Sequence, residues 1–266
     1  MHKKNDIIVT YLNNQECFLH HSGVIFIPKI KAIIISDIHF EKASALNIKK
    51  ISTIPLPSFD THEILITLNK VFKIFDPKKI IFLGDTFHNL ISAEYISEKY
   101  KKNIKDIINE FECIWIKGNH DVNKPSWLNV TPIDEHEEIG IVFRHITKFE
   151  DNEISGHYHL KTKIKTRDKS ITGKCFIFNN KTIIMPSFGI FTGGLYLSEF
   201  LNQFSYQGKI NIGFRSASDL GFSSNTNAER KVIEESLMLT GDQNIADVAF
   251  TVLYRIKDAG NFLFKL

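Results

Sequence analysis

Two short runs of branched apolar residues stand out near the start of the chain, Val24-Ile25-Phe26-Ile27 within 23–28 and Ala32-Ile33-Ile34-Ile35 within 32–36. They are continuous rather than alternating, which predicts strands covered on both faces, and the second run ends on Ser36-Asp37. From Asp60 the period becomes helical. Ile64, Leu68, Val71, Phe72 and Phe75 share one face, Asp60 with Glu63 three residues on predicts the N-cap, and Asp76-Pro77 predicts the stop. A third apolar run, 79–83, opens into Gly84-Asp85. Ile96, Tyr100, Ile104, Ile107 and Phe111 then predict a helix over about 92–111, and strand 113–116 opens into Gly118-Asn119-His120-Asp121.

Beyond Asp121 the pattern favours strands: 139–143, 153–155, and a hairpin of 175–178 with 182–185 around Asn179-Asn180. An α/β half therefore precedes a β-rich half, an arrangement that predicts layered sheets with helices outside them.

Composition narrows the class. The chain has 266 residues, 33 basic and 30 acidic side chains and a net charge of +3, which argues against a polybasic nucleic-acid coat or an acidic tail and leaves room for a local basic stripe. With 43% apolar residues it can bury a large core. Cys17, Cys113 and Cys175 are widely spaced, matching neither a zinc finger nor a redox motif, and predict a reducing compartment. The basic start, Met1-His2-Lys3-Lys4, leads into no apolar segment of the kind a signal peptide needs, and no later run predicts a membrane span, so a cytoplasmic protein without a membrane anchor is expected. The oligomeric state is left open by the sequence.

The candidate chemistry collects at one recurrent place, just past the C-terminal end of each apolar strand: Asp37 and His39, Asp85, Asn119 and His120, His145, then His157 and His159. In open α/β sheets these ends form the ligand crevice, so residues far apart in sequence are expected to converge. Leaving His120 aside, the set is two carboxylates, one amide and four imidazoles, without thiolate. Such a set suits manganese foremost, with iron, zinc or cobalt as alternatives. Seven ligands exceed the needs of one ion, and two ions about 3.5–4 Å apart sharing a carboxylate would use them all.

In order and spacing, Asp37-Ile38-His39, Gly84-Asp85, Gly118-Asn119-His120-Asp121, His145 and Gly156-His157-Tyr158-His159 resemble the five motifs of the calcineurin-like metallophosphoesterases. Asp37 to Ala43, Gly84-Asp85-Thr86-Phe87-His88 and Pro186 to Gly194 are most similar to the branch of ligase-associated DNA-damage-response endonucleases. The resemblance covers 17 to about 200. It implies an α/β fold, the four-layered αββα metallophosphoesterase sandwich, over a domain of residues 1–205. Asp37, His39, Asp85 and His159 would hold one divalent ion. Asp85 would bridge to a second, held also by Asn119, His145 and His157. His120 would protonate the leaving oxygen or steady its charge, with Asp121 orienting His120. A metal-activated hydroxide would attack a phosphoester, with nucleic acid as the implied substrate. Asn119, His88 and Arg144 are the candidate phosphate contacts. The chain departs from the branch at Arg144-His145-Ile146, where relatives carry His-His-Pro, and at Glu41, where they carry glycine.

Other residues read more plainly. His20, His21, His62 and His136 match no motif and are expected as surface or packing histidines. Lys161, Lys163, Lys165, Arg167 and Lys169 alternate along a predicted strand, either a solvated edge guarded by lysine or a DNA-contacting stripe. Residues 206–266 resemble part of the band 7 domain of stomatin and prohibitin relatives, carried by Asn211 to Ser216, Glu235 to Ile245 and the alternating strand 248–256. They are expected to form a truncated, non-catalytic α+β fragment. The competing reading is an inactive metallophosphoesterase remnant fused to that fragment by gene disruption.

Overall fold

The computed structural model describes residues 7–43, 59–94, 96–165 and 170–203, and strand segments at 207–212, 214–215, 230–231, 237–239, 245–247 and 250–255. Two compact units are present, Met1–Leu197 and Ser198–Leu266.

In the first unit, β1 (Ile7–Leu12), β2 (Gln15–His20), β3 (Ile25–Ile27), β4 (Ala32–Ile35), β5 (Lys79–Leu83) and β6 (Glu112–Ile116) form a six-stranded sheet in that spatial order. The first four strands meander antiparallel, while β4, β5 and β6 run parallel, joined through helices α1 (Asp60–Phe75), α2 (Leu90–Glu94) and α3 (Glu98–Glu110). A second sheet has the order β12 (Ile177–Phe178), β13 (Thr182–Ile184), β9 (Glu153–Ser155), β8 (Ile141–Arg144) and β7 (Glu135–Glu138), with β13, β9 and β8 parallel.

The period of two along the central strands explains the layering. Ile33, Ile35, Ile80 and Phe82 face α1 and α3 and pack on Ile64, Leu68, Val71 and Ile104. Ala32, Ile34, Ile81 and Leu83 face the second sheet and pack on Phe143, Ile154, Ile183 and Met185. Both faces are thus covered, which is why these strands read as continuous apolar runs. Each fully buried Ile or Phe contributes about 1.5–3 kcal/mol, enough to make a rigid frame for the loops at the strand ends.

Several local expectations change. Run 23–28 contributes strand only over Ile25–Ile27, because Pro28, lacking an N–H, starts a single 3-10 turn. Asp60 does not cap α1: Phe59 occupies that position, and the buried Asp60 carboxylate instead accepts from the Ala43 amide. With the Thr61 hydroxyl accepting from the Glu41 amide, the first turn of α1 pins the segment after His39. The helix expected over 92–111 is two, since Ile96 and Ser97 break it before α3. Strand 139–143 belongs to a hairpin whose turn, Ile139-Gly140, has both φ positive, at 53° and 73°. The β1–β2 hairpin, turning at Asn13-Asn14, had no clear signal because its outer strand is largely exposed.

The hairpin of β12 and β13 forms as the pattern predicts, with the Asn179 side chain accepting from the Lys181 and Thr182 amides. Lys161–Lys165 is strand β10, paired with β11 (Ser170–Lys174) and bridged at Lys161 to Tyr196; Arg167 and Lys169 lie outside the described residues.

Helix α4 (Leu197–Gln203) follows. In the second unit the described segments are antiparallel pairs: β14 (Gln207–Ile212) with β19 (Phe250–Arg255), β15 (Phe214–Arg215) with β16 (Arg230–Lys231), and β17 (Leu237–Leu239) with β18 (Ile245–Asp247). The strand expected over 248–256 is described as β19, with its ends outside the described residues. Among the described residues no helix is long and apolar enough to cross a membrane.

Candidate metal centre

The loops leaving the C-terminal ends of β4, β5, β6, β8 and β9 meet at one edge of the two sheets. Asp37, His39, Asp85 and His159 place one ligand atom each within 4.8 Å of one another, and so do Asp85, His145 and His157, with Asp85 common to both groups. In the first group His159 Nε2 lies 3.1 Å from Asp37 Oδ1 and 3.1 Å from His39 Nε2, and His39 Nε2 lies 3.7 Å from Asp85 Oδ2. In the second, His145 Nε2 lies 3.6 Å from Asp85 Oδ2, 3.2 Å from His157 Nδ1 and 3.0 Å from the Asn119 side-chain oxygen.

Backbone geometry makes this convergence possible. Asp37, His39, Asp85, His157 and His159 all have φ between 49° and 75°, the left-handed region that residues other than glycine enter rarely. Each such residue costs about 1–3 kcal/mol and persists only where its surroundings over-determine it. Glycine supplies the clearance. A Cβ on Gly118 would fall 2.1 Å from Asp85 Oδ1, and one on Gly156 would fall 1.7 Å from Ser36 Oγ and 2.7 Å from Asp37 Oδ2. The Pro186–Gly194 segment backs the first loop, since the Phe188 and Gly189 amides donate to the Ser36 and Asp37 carbonyls.

Hydrogen bonds set the chemical state of the donors. His145 Nδ1 donates to the Leu83 carbonyl at 2.7 Å, which leaves the Nε2 lone pair facing Asp85 and Asn119. Asp37 is fully buried and accepts from the Ser36 hydroxyl and the His157 amide. Burial works to raise its pKa, but the His159 hydrogen bond and nearby imidazoles hold it well below the ordinary carboxylate range. Burial, aided by the Lys42 charge, pushes the His39 imidazole down to about 2, and burial also lowers His157. Asp37 is thus held as a carboxylate and His39 and His157 as neutral imidazoles, and among the described residues no lysine or arginine forms an ion pair with Asp37 or Asp85. This donor set fits two divalent cations.

His120 is exposed beside the cluster. Its amide donates to Asp85 Oδ1, and its ring lies 5.3 Å from those of both His39 and His88. The structure therefore brings together Asp37, His39, Asp85, Asn119, His120, His145, His157, His159 and His88. Two expectations are corrected. Asp121 does not orient the His120 ring: its buried carboxylate accepts from the amides of Asp85, Thr86, Phe87 and Gly118, fixing two ligand loops together, and burial with the Asp85 charge raises it to about 6. Arg144 is not placed to meet phosphate, because Glu135, Glu150 and Glu153 hold its buried guanidinium. Of the histidines that match no motif, His20 is buried and meets the Phe75 ring edge to face, and His136 bonds Glu138.

Lys42 was missed as a site residue. It lies half-buried three residues after His39, its amine under the influence of Asp37 and Asp85, and burial lowers its pKa. The only signal in the sequence was its place at the end of the first motif.

A search of the curated protein sequences gives no match. Among solved structures, the chain is similar to the crystal structure of Pseudomonas putida nuclease MPE, with a TM-score of 0.60 and 21% identity over 72% of this chain and 91% of that one. It is also matched to Yfce, a phosphoesterase from E. coli, at a TM-score of 0.35 and 14% identity over 62% of this chain and 83% of that one. The sequence profile of the calcineurin-like phosphoesterases matches residues 30–234, a span that holds every ligand of both groups. With sheets, ligand loops and profile in agreement, the chain belongs to the calcineurin-like phosphoesterase family.

Proposed function

We propose that the chain hydrolyses phosphodiester bonds of nucleic acid, as a divalent-metal-dependent nuclease. The observation that carries this reading is Asp85, whose carboxylate belongs to both ligand groups and so marks a dinuclear rather than a mononuclear centre. The similarity to a nuclease fold agrees with it.

Asp37, His39, Asp85 and His159 would hold one ion and Asp85, Asn119, His145 and His157 the other, with manganese the expected metal. Such ions, when bound, lower the pKa of water and offset charge on phosphoryl oxygens. The protein's own part is positional. His120, exposed beside the cluster and held through its amide by Asp85, would give its proton to the leaving oxygen. His88, against the His120 ring, would meet a phosphate oxygen. Asp121 keeps the Gly84 and Gly118 loops at a fixed separation. We place the reaction in the cytoplasm, in line with three unpaired cysteines, and a role in DNA repair follows from the motif resemblance. We further propose that 206–266 is a non-catalytic appendage of band 7 ancestry, a reading that rests on its sequence.

Hydrolysis of bis-p-nitrophenyl phosphate with manganese tests the proposal. His120→Ala is expected to lower kcat by about 10²–10⁴-fold while metal content stays near two ions per chain. Equal rates for the two proteins would end the assignment of His120, and a parent with no manganese-dependent rate would favour the inactive remnant.

A further inference from the structure

The β10–β11 hairpin is not used by the chemistry above. It pairs with neither large sheet, yet both of its ends are fastened to the metal cluster. β10 starts two residues after His159. At the end of β11 the Lys174 amine donates to the Phe188 and Gly189 carbonyls, residues whose amides donate to the carbonyls of Ser36 and Asp37.

Its charges are all of one sign. The register pairs Lys161 with Lys174, Lys163 with Thr172 and Lys165 with Ser170, and neither strand contains an acidic residue. The period of two puts Lys161, Lys163, Thr172 and Lys174 on one face. Five lysines elsewhere do have a carboxylate partner: Lys79 with Glu112 and Glu138, Lys101 with Glu98, Lys117 with Asp134, Lys148 with Glu135 and Lys181 with Asp151. Among the described residues Lys161, Lys163 and Lys174 form no ion pair with a carboxylate, and the Lys161 amine lies 4.5 Å over the Tyr196 ring. The Lys174 amine is turned to the Phe188 and Gly189 carbonyls, so Lys161, Lys163 and Thr172 are the residues of this face that can meet an anion.

We propose that this face is an arm that binds the sugar-phosphate backbone of a nucleic acid strand and leads it into the metal centre. Alternate residues on a strand are about 6.6–6.8 Å apart, so successive lysines meet successive phosphates, and the hydroxyl of Thr172 adds a neutral donor. Contact of this kind is independent of sequence and falls with salt. The partner rests on the nuclease reading, whereas the arm itself rests on register and charge.

Fluorescence anisotropy of a labelled single-stranded DNA oligonucleotide, with the full chain in chelator so that no cleavage occurs, tests it. Lys161→Gln with Lys163→Gln is expected to weaken binding about 10-fold at low salt. The slope of log affinity against log salt should fall by about 1.4, because two phosphates are no longer neutralised. The same variant should keep its manganese-dependent rate on bis-p-nitrophenyl phosphate, and Lys161→Arg with Lys163→Arg should keep both rate and affinity. Unchanged affinity and slope in the glutamine variant, or a wild-type chain that hydrolyses the small diester yet binds no oligonucleotide, would overturn the arm while leaving the phosphoesterase reading intact. Lysine-dependent binding without cleavage of the oligonucleotide in manganese would support the arm and remove the nuclease reading.

Discussion

The two ends of the central strands handle charge in opposite ways. At the start of β5, Lys79 is 11% exposed and lies 2.7 Å from Glu138 and 3.1 Å from Glu112, so opposite charges meet and tie β5 to β6 and to the second sheet. At the other end of β5, Asp85 shares a pocket with Asp37, and burial together with the Asp85 charge raises the pKa of Asp121. The first end obeys the usual pairing of charge. The second gathers like charges on strained backbone, a costly arrangement that makes sense as a place built for cations the chain does not itself supply.

That contrast can be broken most severely at Asp85. Asp85→Asn keeps an acceptor for the His120 amide but removes the shared charge, and activity on a diester should fall about 1000-fold with loss of metal on analysis. In chelator the same variant should melt at a temperature equal to or above that of the parent, because a repulsion has been removed; a marked drop would show that Asp85 serves the fold. Next comes clearance. Gly118→Ala drives a methyl into Asp85, including its backbone nitrogen at 2.2 Å, and should cost about 1–3 kcal/mol in denaturant unfolding together with most of the activity. The smallest effect belongs to the neutralised end. Lys79→Met should cost about 1 kcal/mol with little change in rate. Burial works to raise Glu138, but Lys79 holds its pKa below the ordinary value of 4.5. The folded form thus binds fewer protons there, so the stabilisation is full above the unfolded pKa and fades as pH falls through the folded one. The gap between parent and variant should narrow below about pH 4.5 in unfolding measured across pH.

Legibility in the sequence followed the same division. The ligand loops could be read because each follows a continuous apolar strand, and strand ends in such sheets face one crevice. Asp121 was legible as a site residue but not in its role, because its partners are backbone amides of another loop, which no side-chain pattern records. Arg144 misled for a related reason. It adjoins His145 in sequence, but Glu150 and Glu153 hold it, whereas His145 meets Leu83, Asn119 and Asp85. Asp60 looked like a cap because the acceptor of a local turn and of a distant amide are the same atom type.

By itself the sequence determined which strands are covered on both faces, where each ends, and which donors stand at those ends, because apolar period and residue type are local properties. Tertiary structure alone decided that Asp85 is shared between two groups, that Asp121 binds loops rather than an imidazole, and that a lysine-bearing hairpin is anchored beside the cluster. Those outcomes depend on distances between atoms remote along the chain, and such distances exist only once the two sheets have packed.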